Sequence, residues 1–226
     1  MKALIFDSGT LITLSMNCLL DVVRELKKGF DGKFLITKEV KSEIVDKPLT
    51  IKKYKLGALR LKSLIDDGTL EFPTSLNIDE KEITRLSNEI LKSANEIFYS
   101  DNRSIHIIDT GEASILALNK LLKQRNINSL IAMDERTTRM LCEKPDNLKI
   151  LLEHRLHKKI KQMKLGDDSF HNAKFVRSTE LIYVAFKKGI IKNQSKEMLD
   201  AMLYGAKFKG AAISGDEIKE MEKMGY

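Results

Sequence analysis

The sequence predicts an α/β fold: three layers, with a central, mostly parallel sheet flanked by helices. Three observations predict it. Short apolar runs alternate along the chain with segments whose apolar residues recur at helical spacing. Several of those runs end at an acid or a capping residue, where a helix would begin. The chain has 226 residues, 42% of them hydrophobic, enough for one large domain with its own core.

The elements follow in order. Residues 2–6 form a buried strand that ends in Asp7-Ser8-Gly9-Thr10. Met16, Leu19, Leu20, Val23 and Leu26 make a helix stopped by Lys27-Lys28-Gly29. Residues 33–36 are a second strand, and Thr37 caps a helix with Val40 and Ile44 on its buried side. Pro48 lies just beyond its end, and Glu43 sits at the border of its buried stripe. A helix over 51–65 is closed by Asp66-Asp67-Gly68, and residues 69–72 are a third strand candidate broken by Pro73. Asp79 and Glu82 mark a helix start for Ile83, Leu86, Ile90, Ala94 and Ile97. Residues 100–103 read as a loop. Ile107-Ile108 leads into Asp109-Thr110-Gly111-Glu112, a capping-box pattern that opens a strongly apolar helix. Residues 129–133 form a buried strand ending in Asp134-Glu135-Arg136. A brief helix over 137–142, a basic helix over 146–164, a short strand over 174–176 and helices over 179–188 and 195–208 follow. Ser214 with Glu217 caps a last one.

No run of about 18 uncharged apolar residues is present, so no membrane span is expected. Asp7 comes too early for a signal peptide. Cys18 and Cys142 form no ligand spacing; two buried free thiols in a cytoplasmic protein are the expectation. The net charge is +7 and unevenly spread. Lys149, Arg155, Lys158, Lys159, Lys161 and Lys164 face a single acid, Glu153, within one segment. Such a stripe suits a polyanion as well as it suits a solvated helix face.

The acids are the strongest signal. In open parallel sheets, ligands bind beyond the carboxyl ends of the strands. Asp7 and Asp134 follow strands directly, Asp109 follows Ile107-Ile108, and Glu112 is one helical turn on. Glu43 opens toward the same end. So many carboxylates at one edge repel each other unless a cation neutralises them, and hard oxygen donors suit Mg²⁺ or Mn²⁺. No His/Cys cluster offers a zinc site, and no Ser-His-Asp pattern stands out. Phe6-Asp7-Ser8-Gly9-Thr10 is similar to the first motif of haloacid-dehalogenase-type phosphatases, but lacks that motif's second aspartate.

Four pieces, taken in order, resemble the PIN-domain nucleases. They are Ile5-Phe6-Asp7-Ser8-Gly9-Thr10-Leu11-Ile12, Ile36-Thr37-Lys38-Glu39-Val40-Lys41-Ser42-Glu43-Ile44, Asp109-Thr110-Gly111-Glu112-Ala113-Ser114 and Leu130-Ile131-Ala132-Met133-Asp134-Glu135-Arg136. The Gly-Glu-Ala form of the third resembles one prokaryotic branch of that family. The resemblance implies a PIN-like nuclease domain over residues 1–190, with a basic helical insertion near 145–173. Residues 191–226 would be a C-terminal helical extension or part of the same domain.

It also implies an activity: metal-dependent endonucleolytic cleavage of RNA, as a toxin of a toxin–antitoxin pair or as an RNA-processing enzyme. Carried over, Asp7, Glu43, Glu112 and Asp134 are the catalytic acids, holding Mg²⁺ or Mn²⁺ with Asp109 as a further ligand. Between the two acids of the third motif, Asp109 is the better candidate for the helix cap and Glu112 for the metal. Thr10 or Ser8 would orient a ligand or water, and Arg136 and Arg139 would contact phosphate or the carboxylates. The basic helix would track the RNA backbone. A homodimer and a protein antitoxin are the partners implied besides RNA. A non-catalytic RNA-binding module of the same fold is the alternative.

Overall fold

Strand β1 (Lys2–Phe6) is central to the sheet, and this explains its uninterrupted Ala-Leu-Ile-Phe run: all four side chains are buried. The computed structural model describes residues 1–163 and 173–225. After β1 come α1 (Ser8–Met16), α2 (Leu20–Lys28), β2 (Gly32–Leu35) and α3 (Lys38–Lys41). A π-helical turn over Ser42–Asp46 joins α3 to α4 (Lys47–Leu49), then α5 (Lys55–Asp66), a tight turn over Pro73–Leu76 and α6 (Glu80–Asn95). The second half holds β3 (Phe98–Ser100), β4 (Arg103–Ser104), α7 (Thr110–Gln124), β5 (Asn128–Ala132), α8 (Arg136–Glu143) and α9 (Pro145–Leu156). It ends with β6 (Lys161–Gln162), β7 (Phe175–Val176), α10 (Ser178–Lys187), α11 (Lys196–Phe208) and α12 (Gly215–Gly225).

The main sheet has the order β2-β1-β5-β7, every pair parallel, with helices packed around it. Lys2 registers with Gly32 on one side and Asn128 on the other. Strand order reverses between β1 and β5, where a ligand crevice is expected. All four carboxyl ends lie on one edge, so Asp7, Thr37, Asp134 and Ser178 follow their strands there. α7 is apolar almost all round and packs along α6, its Ala113, Leu116, Ala117 and Leu121 buried. Leu199, Leu203, Ile213 and Ile218 of the C-terminal segment belong to the same buried cluster as the sheet.

Several expectations are corrected. Residues 69–72 contribute only a single parallel bridge, Leu35 to Glu71, because Pro73 turns the chain away at once. The helix after β2 runs on through Pro48, since the π turn already breaks the regular ladder that a proline would disrupt. The basic helix stops at Leu156: His157 adopts left-handed φ (+51°), and Ile160 is buried instead of continuing the turn. Beyond it, β6 pairs with β3 in a small antiparallel sheet, order β4-β3-β6. The loop at 100–103 is the turn of that sheet's hairpin, with Asp101 and Asn102 both at positive φ. Cys18 is exposed, held at φ +59° just past α1, while Cys142 is buried. Among the described residues, no helix is long and apolar enough to cross a membrane.

Candidate carboxylate site at the sheet edge

Asp7 caps α1, its carboxylate accepting the Gly9 N–H at 3.0 Å. Its own N–H donates to Ala132 O at 2.9 Å, which fixes it across the β1/β5 junction. The residue is only 5% exposed. Glu43 arrives from the π turn, a distortion that re-aims side chains and recurs at functional sites. Its carboxylate lies directly over Gly111 at the start of α7: a Cβ on Gly111 would stand 2.6 Å from Glu43 Oε1. Glu112, one residue on, accepts the Asp109 N–H, the returning half of a capping box. Two carboxylates thus share the positive end of one helix.

The charges of these groups are strongly coupled. Burial, then the Glu112 charge, then Glu43, push Asp7 up to about 7 against the opposing Gly9 and Ser8 N–H groups. Glu112 is likewise pushed up to about 7, by burial first, then by Glu135, Asp109 and Glu43, against the Asp109 N–H. Asp7, Glu43 and Glu112 therefore form one mutually repelling group, with Glu135 at its margin. Glu135 caps α8 through the Thr137 and Thr138 N–H groups.

Asp134 reaches the same edge but turns the other way. Its Oδ1 accepts the Ser178 N–H at 2.8 Å, while Oδ2 is buried without a partner. Burial raises its pKa, opposed by Ser178, Thr13 and Arg139. Its leading neighbours are thus hydroxyls and a guanidinium, not other acids. Thr10 is fully buried nearby in sequence to Asp7, with its hydroxyl unpartnered.

Asp109 is the N-cap residue of α7, as expected, exposed and hydrogen-bonded to His106 at 2.7 Å, while Glu112 supplies the returning carboxylate of the capping box and still faces Asp7. Arg136 is exposed at the start of α8, and Arg139 donates to the carbonyls of Glu135 and Ala212. Lys149 lies half-buried on α9 and Arg155 exposed near its end. Lys158 pairs with Asp101 at 2.6 Å, Lys159 and Lys161 are exposed, and Lys164 lies outside the described residues. The expected stripe is therefore split between a helix and a strand.

Among the described residues, no group of three or more His, Cys, Asp or Glu side chains is arranged to hold a metal ion as it stands. Asp7, Glu112 and Asp134 are each engaged through one oxygen by a backbone N–H. The donor chemistry nonetheless fits a hard divalent cation, with oxygen donors, raised pKa values and one orphaned carboxylate oxygen. Glu135 and Gly111 were the participants hardest to see in the sequence. Glu135 adjoins Asp134 in Asp-Glu-Arg, and Gly111 has meaning only once Glu43 is seated on it.

That seating gives a prediction. Gly111→Ala should displace the Glu43 side chain and leave the fold within about 1 kcal/mol of wild type, because alanine favours the helix it enters. Any affinity for a divalent cation should fall sharply. Unchanged affinity by titration calorimetry would remove Glu43 from the site. Compared with known protein families, curated proteins and solved structures, the chain matches none.

Proposed function

We propose that this chain is a divalent-cation-dependent ribonuclease with a PIN-like fold, hydrolysing RNA phosphodiester bonds. One observation carries the reading: Asp7, Glu43 and Glu112, from three distant segments, meet at the sheet's switch point and hold two of their number near pKa 7 by burial and mutual repulsion. A bound Mg²⁺ or Mn²⁺ would supply an activated water and neutralise charge on the phosphate. Asp7, Glu43 and Glu112 would hold the cation. Asp134, anchored through Oδ1 by Ser178, offers its unpartnered oxygen to a water or ligand. A toxin with its protein antitoxin, an RNA-processing enzyme and a homodimer of either all use this chemistry.

The test is incubation of a mixed RNA pool with Mg²⁺, with Mn²⁺ and with EDTA. Cleavage confined to the metal-containing samples is expected. RNA bound but left whole in both metals would replace the reading with a non-catalytic RNA-binding module.

The basic residues give a second prediction. Changing Lys158, Lys159 and Lys161 together to Gln should weaken RNA binding and lower the slope of log K against log salt by about 2. The figure is two because Lys158 is already paired with Asp101. An unchanged slope in a filter-binding titration would leave these lysines as plain surface.

A further inference from the structure

Beside Asp134 lies a cavity of about 640 Å³, bounded by α8, the start of α9 and the turn into α12. Its walls carry four cations, Arg136, Arg139, Lys144 and Arg177, against two acids, Glu143 and Glu217. The acids do not balance them. Arg177 already binds Glu217 at 2.8 Å and also holds Glu180 of α10. Although burial works against it, the Ser214 N–H and Arg177 hold the Glu217 carboxyl down at about 2, so it stays a committed partner. Glu143 is exposed and forms no ion pair among the described residues.

Arg139 forms no ion pair among the described residues. Among the described residues its guanidinium hydrogen-bonds only backbone carbonyls, Glu135 O at 3.2 Å and Ala212 O at 3.4 Å, and Arg177 donates to the same Ala212 carbonyl at 3.1 Å. Two guanidinium groups thus converge on one neutral acceptor in a recess. Burial and then the Arg177 charge lower the pKa of Arg139, against the nearby charges of Glu143, Glu180 and Asp134. The recess is joined to the sheet edge, since the Ala212 N–H donates to Asp134 O at 3.3 Å.

We propose that this cavity is a phosphate-binding subsite for RNA, with Arg139 as its principal ligand and the exposed Arg136 and Lys144 beside it. Guanidinium forks match phosphate geometry, and a recess of this volume admits a nucleotide as well as its phosphate. A wall residue, Ala212, hydrogen-bonded to the Asp134 backbone places the recess next to the carboxylate edge, so its occupant would be a phosphate of the strand being cut; to that extent the inference rests on the ribonuclease reading. The subsite's ligands come from α8 and its end, and residues 212–217 of the C-terminal segment close one wall of it.

Fluorescence anisotropy in EDTA tests it without cleavage. The probes are a short labelled oligoribonucleotide with a 5′-phosphate and the same oligomer with a 5′-hydroxyl. Arg139→Gln should weaken binding by about tenfold or more and lower the salt slope by about one. Loss confined to the phosphorylated oligomer assigns the subsite to a strand end; equal loss for both assigns it to an internal phosphodiester. Equal affinity and slope in wild type and Arg139→Gln would overturn the proposal. Because Arg139 also supports two carbonyls, Arg136→Gln is the second variant; its side chain makes no hydrogen bond among the described residues, and it should lower the slope too. If Arg139→Gln does not fold, an unchanged slope in Arg136→Gln overturns the subsite. RNA held through Arg139 but never cut with Mn²⁺ would defeat the ribonuclease reading and leave the subsite standing.

Discussion

Asp7→Asn is expected to abolish RNA cleavage while raising the melting temperature of the metal-free protein. The activity loss should be on the order of 10³-fold or more, the scale of removing one preorganised electrostatic element from an active site. The stability gain has a separate cause. The Asp7 carboxyl is pushed from an ordinary 3.8 up to about 7, by burial first and then by Glu112. Keeping it ionised above pH 7 costs the folded state on the order of 4 kcal/mol. Asparagine carries no charge, can still accept the Gly9 N–H, and adds a buried amide that reduces the gain. Each kcal/mol is worth roughly 2–4 °C in a chain of this size, so a rise of several degrees at pH 8 in EDTA should be seen by scanning calorimetry. A variant with wild-type cleavage would sink the nuclease reading. A variant less stable than wild type would show instead that the Asp7 carboxylate is no net cost to the metal-free fold.

Mg²⁺ or Mn²⁺ should stabilise the protein at pH 8 and lose that effect as the pH falls. Asp7 and Glu112 both have folded-state pKa values raised to about 7. Their contribution to stability is fully present below the ordinary carboxylate range and is lost as pH rises through about 7. The metal-free protein should therefore weaken between about pH 4 and 7 and level off above. Asp134, raised in the same direction, adds to the trend. A cation takes the place of the missing protons. At a hundred times its Kd it would add about 2.7 kcal/mol, and below about pH 6 protons displace it. Melting curves with Mn²⁺ and with EDTA should thus converge at low pH and diverge at high pH. Glu217, held at about 2, acts only at the acid end, where its stabilisation is lost as pH falls, and does not blur this window. Identical curves at pH 8 in millimolar cation would remove the metal from the proposal.

Strand ends were the most legible part of the sequence. A buried parallel strand is apolar without interruption and stops where a cap begins, so Phe6-Asp7 and Met133-Asp134 announce the sheet edge directly. Side-chain direction was not legible. Glu43 reaches Gly111 because of a π turn, which leaves no mark in apolar spacing. Asp134 turns toward Ser178, forty-four positions away, for a backbone N–H that only the folded sheet supplies. Strands of two or three residues such as β4 and β6 are too short to show a period. The left-handed residues Cys18 and His157 ended helices without glycine, so neither stop was visible.

The central position of β1 also governs when the molecule can first exist. Its two neighbours come from residues 32–35 and 128–132, so the first strand made waits for more than half of the chain before its second partner emerges. Pairings of such long sequence separation form slowly, because the intervening chain must be closed before the contacts repay it. Asp7 and Asp134 are joined by that same late pairing. During synthesis, which delivers the N-terminal half first, no carboxylate edge is complete while the chain is partial. Early truncation should give chains that are inert toward RNA as well as unstable.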